Sequence, residues 1–205
     1  MKWISHFESF AQSDTLLIVD VQKSFSKFFT DKYLRELNKY CNNFTNVYQI
    51  WDNHVHGTSV DKDYLYHDDP DTPISNDIYT FPNQRDLIEK RYNYDVNADF
   101  YKKILSRSTY KEIKEKERLK TLKEGDIFLT EEDTYIVYVG NKHKWFHVPR
   151  KLSVLFKQNK NKIIYIVGGS DSECLEDIFV AAQSLGVKIK RNHSYIYSAN
   201  HCPIK

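Results

Sequence analysis

Glycine and proline are scarce in this chain, 6 and 5 among 205 residues. That excludes a collagen-like repeat and argues against low-complexity linkers and wholesale disorder. Cysteine is sparse as well: Cys41, Cys174 and Cys202 are odd in number and widely spaced. Neither a disulfide framework nor a cysteine zinc site is expected, and a reducing cytoplasm is the expected compartment. No apolar run approaches the ~20 residues that span a bilayer, and residues 1–14 lack the apolar stretch of a signal peptide. An excess of one charge is also missing. Lys and Arg total 30 against 28 Asp and Glu, for a net charge of +2. This removes the electrostatic reason to expect nucleic acid or an anionic membrane as partner. Aromatics are what abound, with 15 Tyr, 12 Phe and 3 Trp. They suit one domain spanning residues 1–205 with a sizeable core.

The apolar run from Thr15 to Val19 is rich in branched residues and ends in Asp20. Continuous apolarity predicts a strand buried on both faces. Thr30 and Asp31 are placed to cap a helix carrying Tyr33, Leu34, Leu37, Tyr40 and Cys41 on one face. A second strand is expected from Asn46 to Asp52, again ending in an acid. A long loop from Asn53 to Asn83 and a third strand from Asp86 to Arg91 follow. Val96 to Ser106 reads as a helix, and 107–123 as a charged helix or connector. A hairpin is expected from Asp126 to Val148, turning at Gly140-Asn141. Pro149 opens a helix to about Gln158, and Lys162 to Gly168 is a fourth buried strand. A helix from Ser172 to Leu185 ends at Gly186, and Val187 to Arg191 starts the last strand.

This alternation predicts an α/β fold, an open, mostly parallel sheet with helices on both faces. Ligands of such sheets sit beyond the C-terminal strand ends. The candidates there are Asp20, Asp52, Lys90 and the loop from Gly168 to Cys174. Two acids, a lysine and a thiol suit nucleophilic chemistry. A helix N-terminus and a nearby lysine favour the thiolate, which attacks a carbonyl, and an acid can carry the proton. Asp52-Asn-His54 also puts a carboxylate and an imidazole on one side of a strand end, with His67 further on.

Leu17 to Phe25, Lys90 after a short strand, and Val167-Gly-Gly-Ser-Asp-Ser-Glu-Cys174 together resemble the isochorismatase-like cysteine hydrolases, over about residues 15–105 and 150–192. The resemblance implies a Rossmann-like three-layer fold and a catalytic set of Asp20, Lys90 and Cys174. It also implies a cis peptide near Ser170 or Asp171, two residues assigned to substrate binding. Within the family, Asp52, His54 and His67, with Thr72-Pro73 beyond, resemble the metal site of nicotinamidases, and His56 is a rival for His67. The implied cofactor is a divalent metal, zinc first, with iron or manganese as alternatives. Phe25 and Tyr64 match positions where that family stacks aromatics on the substrate ring. The expected partner is a small uncharged amide, nicotinamide first, and the expected product is the acid. Another hydrolase of the family, or a binding protein that keeps the fold, are the alternatives.

Four departures stand out. Val55-His56-Gly57 stands where nicotinamidases commonly carry a His-Pro pair. Asp171-Ser-Glu173 replaces the family's usual Thr-Asp and adds negative charge near the thiol. The family's further helix and strand after the fifth strand do not follow here. Residues 108–148 form an insertion whose hairpin is expected to extend the sheet, cover the site or form a subunit interface of a homo-oligomer. Exposed aromatics favour the interface, and packing in a core is the equal alternative.

Overall fold

The computed structural model describes residues 15–52, 78–93, 103–140, 145–198 and 200–204. Its centre is β1 (Thr15–Val19), every residue of which is buried. That is the expected outcome for an apolar run with no polar alternation. β2 (Asn46–Asp52) and β7 (Ile163–Gly168) flank β1 in parallel, with Val19 opposite Ile50 on one side and Gly168 on the other. β3 (Gln84–Asn93) lies beyond β2, and β8 (Lys188–Ile196) beyond β7, both parallel to their neighbours. The result is an open parallel sheet of five strands. The last strand, expected to start within Val187 to Arg191, continues to Ile196.

Residues 126–148 extend this sheet at the β3 edge. β4 (Ile127–Leu129), β5 (Tyr135–Tyr138) and β6 (Trp145–Val148) are antiparallel, and β6 pairs with the end of β3, Arg91 opposite His147. The full order is β4-β5-β6-β3-β2-β1-β7-β8.

Side-chain alternation along the strands makes two cores. Leu17, Val19, Ile50, Ile164 and Ile166 face one side. There they meet α3 (Arg150–Gln158) through Leu152, Leu155 and Phe156, and α4 (Cys174–Ser184) through Leu175, Ile178 and Ala181. Leu16, Ile18, Val47, Tyr165 and Val167 face the other side, against Tyr33, Leu37, Tyr40 and Cys41 of α1 (Asp31–Cys41). Helices therefore cover both faces in three layers. Thr30 caps α1 as expected, its hydroxyl accepting from the Tyr33 N–H at 3.1 Å. Gly186, at φ +72°, follows α4 in the left-handed conformation that glycine tolerates best.

α2 (Arg107–Arg118) covers the antiparallel strands, where Ile113, Phe128, Ile136 and Trp145 form a third core. The aromatics thus take the core-packing alternative, and their exposure at an interface is the expectation corrected. Trp145 and Phe146 are fully buried on opposite faces, and Tyr135 and Tyr138 are half-buried. The physical reason is that the extension carries its own helix, so its apolar residues have a partner within the chain. That reason for expecting a homo-oligomer is removed. The helix expected at 96–106 and the loop at 53–83 fall largely outside the described residues. Among the described residues no helix is long and apolar enough to cross a membrane.

The α1 core has a consequence for alkaline stability. Burial pushes the Cys41 thiol from its usual 9.0 up to about 12, and the Tyr40 hydroxyl from 10.0 up to about 12. Both groups are acids that keep their proton in the fold after the unfolded chain has lost it. The folded state therefore binds more protons from about pH 9 to 12, and stability falls as pH rises through that window. Urea unfolding should give similar free energies at about pH 7 and 8. By about pH 11 it should show a loss on the order of 2–3 kcal/mol from Cys41 alone, a share that Cys41→Val abolishes.

Candidate active site

The C-terminal ends of β1, β2, β3 and β7 bring together the residues that the strand-end reasoning singled out. Asp20 follows β1 directly. It sits at φ 53°, a conformation uncommon for a residue with a side chain. Three contacts hold it there. Its N–H donates to the Ile50 carbonyl at 2.9 Å, and its own carbonyl accepts from the Tyr197 hydroxyl at 2.6 Å. The Gln49 amide, itself buried, donates to the neighbouring Val21 carbonyl at 2.9 Å. Such a backbone persists only where its surroundings over-determine it.

Lys90 lies near the end of the parallel part of β3, two strands away from β1. Its ammonium crosses the end of β2 and pairs with the Asp20 carboxylate. Strand spacing of about 4.8 Å makes that a span of roughly 10 Å between backbones, which a four-carbon side chain can cover. The pair is almost wholly withdrawn from water, with side-chain exposures of 0% for Lys90 and 2% for Asp20. Removing two charges from water costs several kcal/mol per ion, and their attraction often fails to exceed that cost. Burial of this kind is a poor way to gain stability and a common way to prepare reactive groups.

The backbone of Asp52 ends β2 between these two strands, in register with Lys90. Its side chain and all of His54, Tyr64 and His67 lie outside the described residues.

The loop from Gly168 to Glu173 connects β7 to α4 and delivers Cys174 as the first residue of that helix. The Gly169 N–H donates to the Val19 carbonyl at 3.0 Å, which fastens the loop to the residue before Asp20. The Ser170 carbonyl accepts from Glu173 at 3.1 Å and from Leu175 at 3.2 Å, closing the turn. The Gly169–Ser170 peptide is cis, where one was expected. Cys174 is partly exposed and packs against the α3–α4 core. Lys90 shares that face with Ile88 by strand alternation. Phe25 lies on the 3₁₀ turn Lys23–Phe28, half-buried against the α1 core with its ring 6.3 Å from that of Phe28.

Two glycines permit this loop. Gly168 has φ +103°, and a Cβ there would stand 2.0 Å from the Val19 carbonyl oxygen. A Cβ on Gly169 would meet the Tyr197 ring at 2.4 Å. Gly168→Ala should therefore cost about 3 kcal/mol, the sum of a disfavoured φ and an overlap with backbone that cannot move aside. Urea unfolding measures it, and a cost below about 1 kcal/mol would mean that the β1–β7 approach is looser than described.

Sequence reasoning missed Tyr197 and Arg191. Tyr197 is buried, holds the Asp20 backbone and accepts through its carbonyl from the Asp171 N–H at 3.2 Å. The Arg191 guanidinium pairs with Glu176 and lies 3.5 Å from Asp171. The strand-end rule would have reached Tyr197 had β8 been followed to Ile196. No family model, curated protein or solved structure matches the chain.

Proposed function

We propose that this chain is a cysteine amidohydrolase of the isochorismatase-like kind, nearest to nicotinamidases, acting on a small uncharged amide. The observation that carries the proposal is the buried Asp20–Lys90 ion pair at the strand ends, fastened through Val19 to the loop that starts α4 at Cys174. A helix N-terminus favours the anionic sulfur.

In the proposed reaction Asp20 accepts the thiol proton and the Cys174 sulfur attacks the amide carbonyl. The tetrahedral oxyanion is stabilised by the Cys174 N–H and the loop before it. Collapse breaks the C–N bond, and the proton held at Asp20 leaves with the nitrogen as ammonia, giving a thioester. Water, deprotonated by Asp20, then attacks the thioester, releasing the acid and restoring the thiol. Lys90 keeps Asp20 anionic in its dry site between these transfers.

Asp52, His54 and His67 are the proposed holders of a divalent metal, zinc first and iron or manganese otherwise. The place of Asp52 at the end of β2, in register with Lys90, fits that role. When bound, the metal would orient the substrate as a Lewis acid. Phe25 and Tyr64 are the proposed ring contacts, and Ser170 and Asp171 the proposed loop contacts.

The test is ammonia release from nicotinamide and a panel of small amides, run beside alkylation of the protein at pH 7. The expected result is release on at least one amide, lost in proportion to labelling of Cys174. Buried Cys41 should remain unlabelled until the chain unfolds. Rapid Cys174 labelling with no release on any amide would favour a different hydrolase. Labelling of Cys174 no faster than Cys202 would favour a binding protein that keeps the fold. Elemental analysis should find about one metal per chain, lost in His54→Ala.

A further inference from the structure

Four carboxylates crowd the start of α4. Asp171 and Glu173 precede Cys174, and Glu176 and Asp177 follow it in the first turn. Carboxylates at a helix N-terminus favour the helix, yet close to a thiol they oppose the thiolate. Among the described residues, other elements bring to these strand ends the Asp20–Lys90 pair, from the residue after β1 and from β3, and Arg191 from β8.

Arg191 shares a strand face with Ile189, which packs on the α4 side of the sheet. Its side chain is only 19% exposed and is held on three sides. One guanidinium nitrogen pairs with Glu176, and another stands 3.5 Å from Asp171. The guanidinium carbon lies 4.1 Å from the centre of the Phe179 ring, one α4 turn beyond Glu176. One side chain thus bridges the loop before Cys174 and the helix after it, and opposes a carboxylate on each side of the thiol.

We infer that Arg191 is a positioning residue for Cys174: it ties the 168–173 loop to the first turn of α4 and offsets the charges of Asp171 and Glu176. The inference rests on Cys174 being the nucleophile. It also accounts for how the chain can carry Asp171-Ser-Glu173 ahead of a reactive thiol. An arginine suits the task because its planar fork can meet two carboxylates and an aromatic face together.

The test is the pH dependence of iodoacetamide alkylation at Cys174, followed by mass spectrometry in the full chain. In Arg191→Gln the midpoint should rise by about 1 pH unit, a roughly tenfold slower reaction near neutrality. Arg191→Lys keeps the charge but loses the fork, and should return the midpoint only part of the way to wild type. Asp171→Asn with Glu176→Gln, retaining Arg191, should move the midpoint down, which keeps the inference testable if Arg191→Gln folds poorly. A midpoint that moves in neither Arg191→Gln nor the double variant overturns the inference and leaves the hydrolase reading intact. Wild-type Cys174 that labels no faster than Cys202 overturns both.

Discussion

Lys90→Met is expected to lower the free energy of unfolding by about 3–5 kcal/mol, because it strands the Asp20 carboxylate in a site with almost no access to water. The methionine nearly matches the lysine stem in volume, so little of the loss would come from packing. The missing positive charge is the cause. If so, Asp20→Asn in the same chain should recover most of the stability, since two neutral groups no longer carry a desolvation cost. The single variants, the double variant and wild type form a cycle whose coupling reports the pair itself. A cycle with no coupling would mean that the two residues act independently. Activity separates structure from chemistry in the same set. The stable double variant should remain inactive on any amide the wild type hydrolyses, because it has lost the proposed proton carrier. Recovery of activity together with stability would assign the pair to folding alone.

Cys174→Ala is expected to lower kcat for that amide by about 10⁴-fold or more while barely changing stability. The loss of rate follows from removing the nucleophile, whose absence leaves only what binding and the oxyanion donors supply. The small stability effect follows from exposure, since a partly exposed thiol at the first helical position creates little cavity when truncated. Cys202→Ser should leave the rate unchanged. Cys41→Val should also leave the rate unchanged while altering the alkaline stability, because Cys41 lies in the α1 core on the other face of the sheet. Equal loss across all three variants would remove the assignment of the nucleophile. Steady-state kinetics and urea unfolding on one preparation of each variant are sufficient.

Local pattern made much of this molecule legible. Thr15 to Val19 and Lys162 to Gly168 announce buried strands by unbroken apolarity, and Asn46–Asp52 was expected with the bounds it has. Caps and turns were equally readable, because Thr30 and Gly186 act within a few residues of themselves. Asp20 and Lys90 could be singled out because a parallel sheet presents its strand ends on one side. β8 shows where local pattern runs out. It is an edge strand with a mostly exposed or half-exposed pattern, so Asn192, His193 and Ser194 carry no apolar signal. Val187 to Arg191 announces the start of the strand, and only the pairing with β7 carries it on to Ile196.

From the sequence by itself came the helix and strand content, the parallel class and the cluster of strand-end residues, all properties of patterns a few residues long. The sequence left the hairpin of residues 126–148 three places, in the sheet, over the site or at an interface. The tertiary structure alone decided that it continues the sheet at β3 and that its aromatics find partners under α2. It alone brought Lys90 across β2 to Asp20, placed Tyr197 behind Asp20 and set Arg191 between Asp171 and Glu176. Each of these joins residues far apart in the chain. Their meeting depends on strand order and register, which arise from the packing of the whole sheet and are written in no single segment.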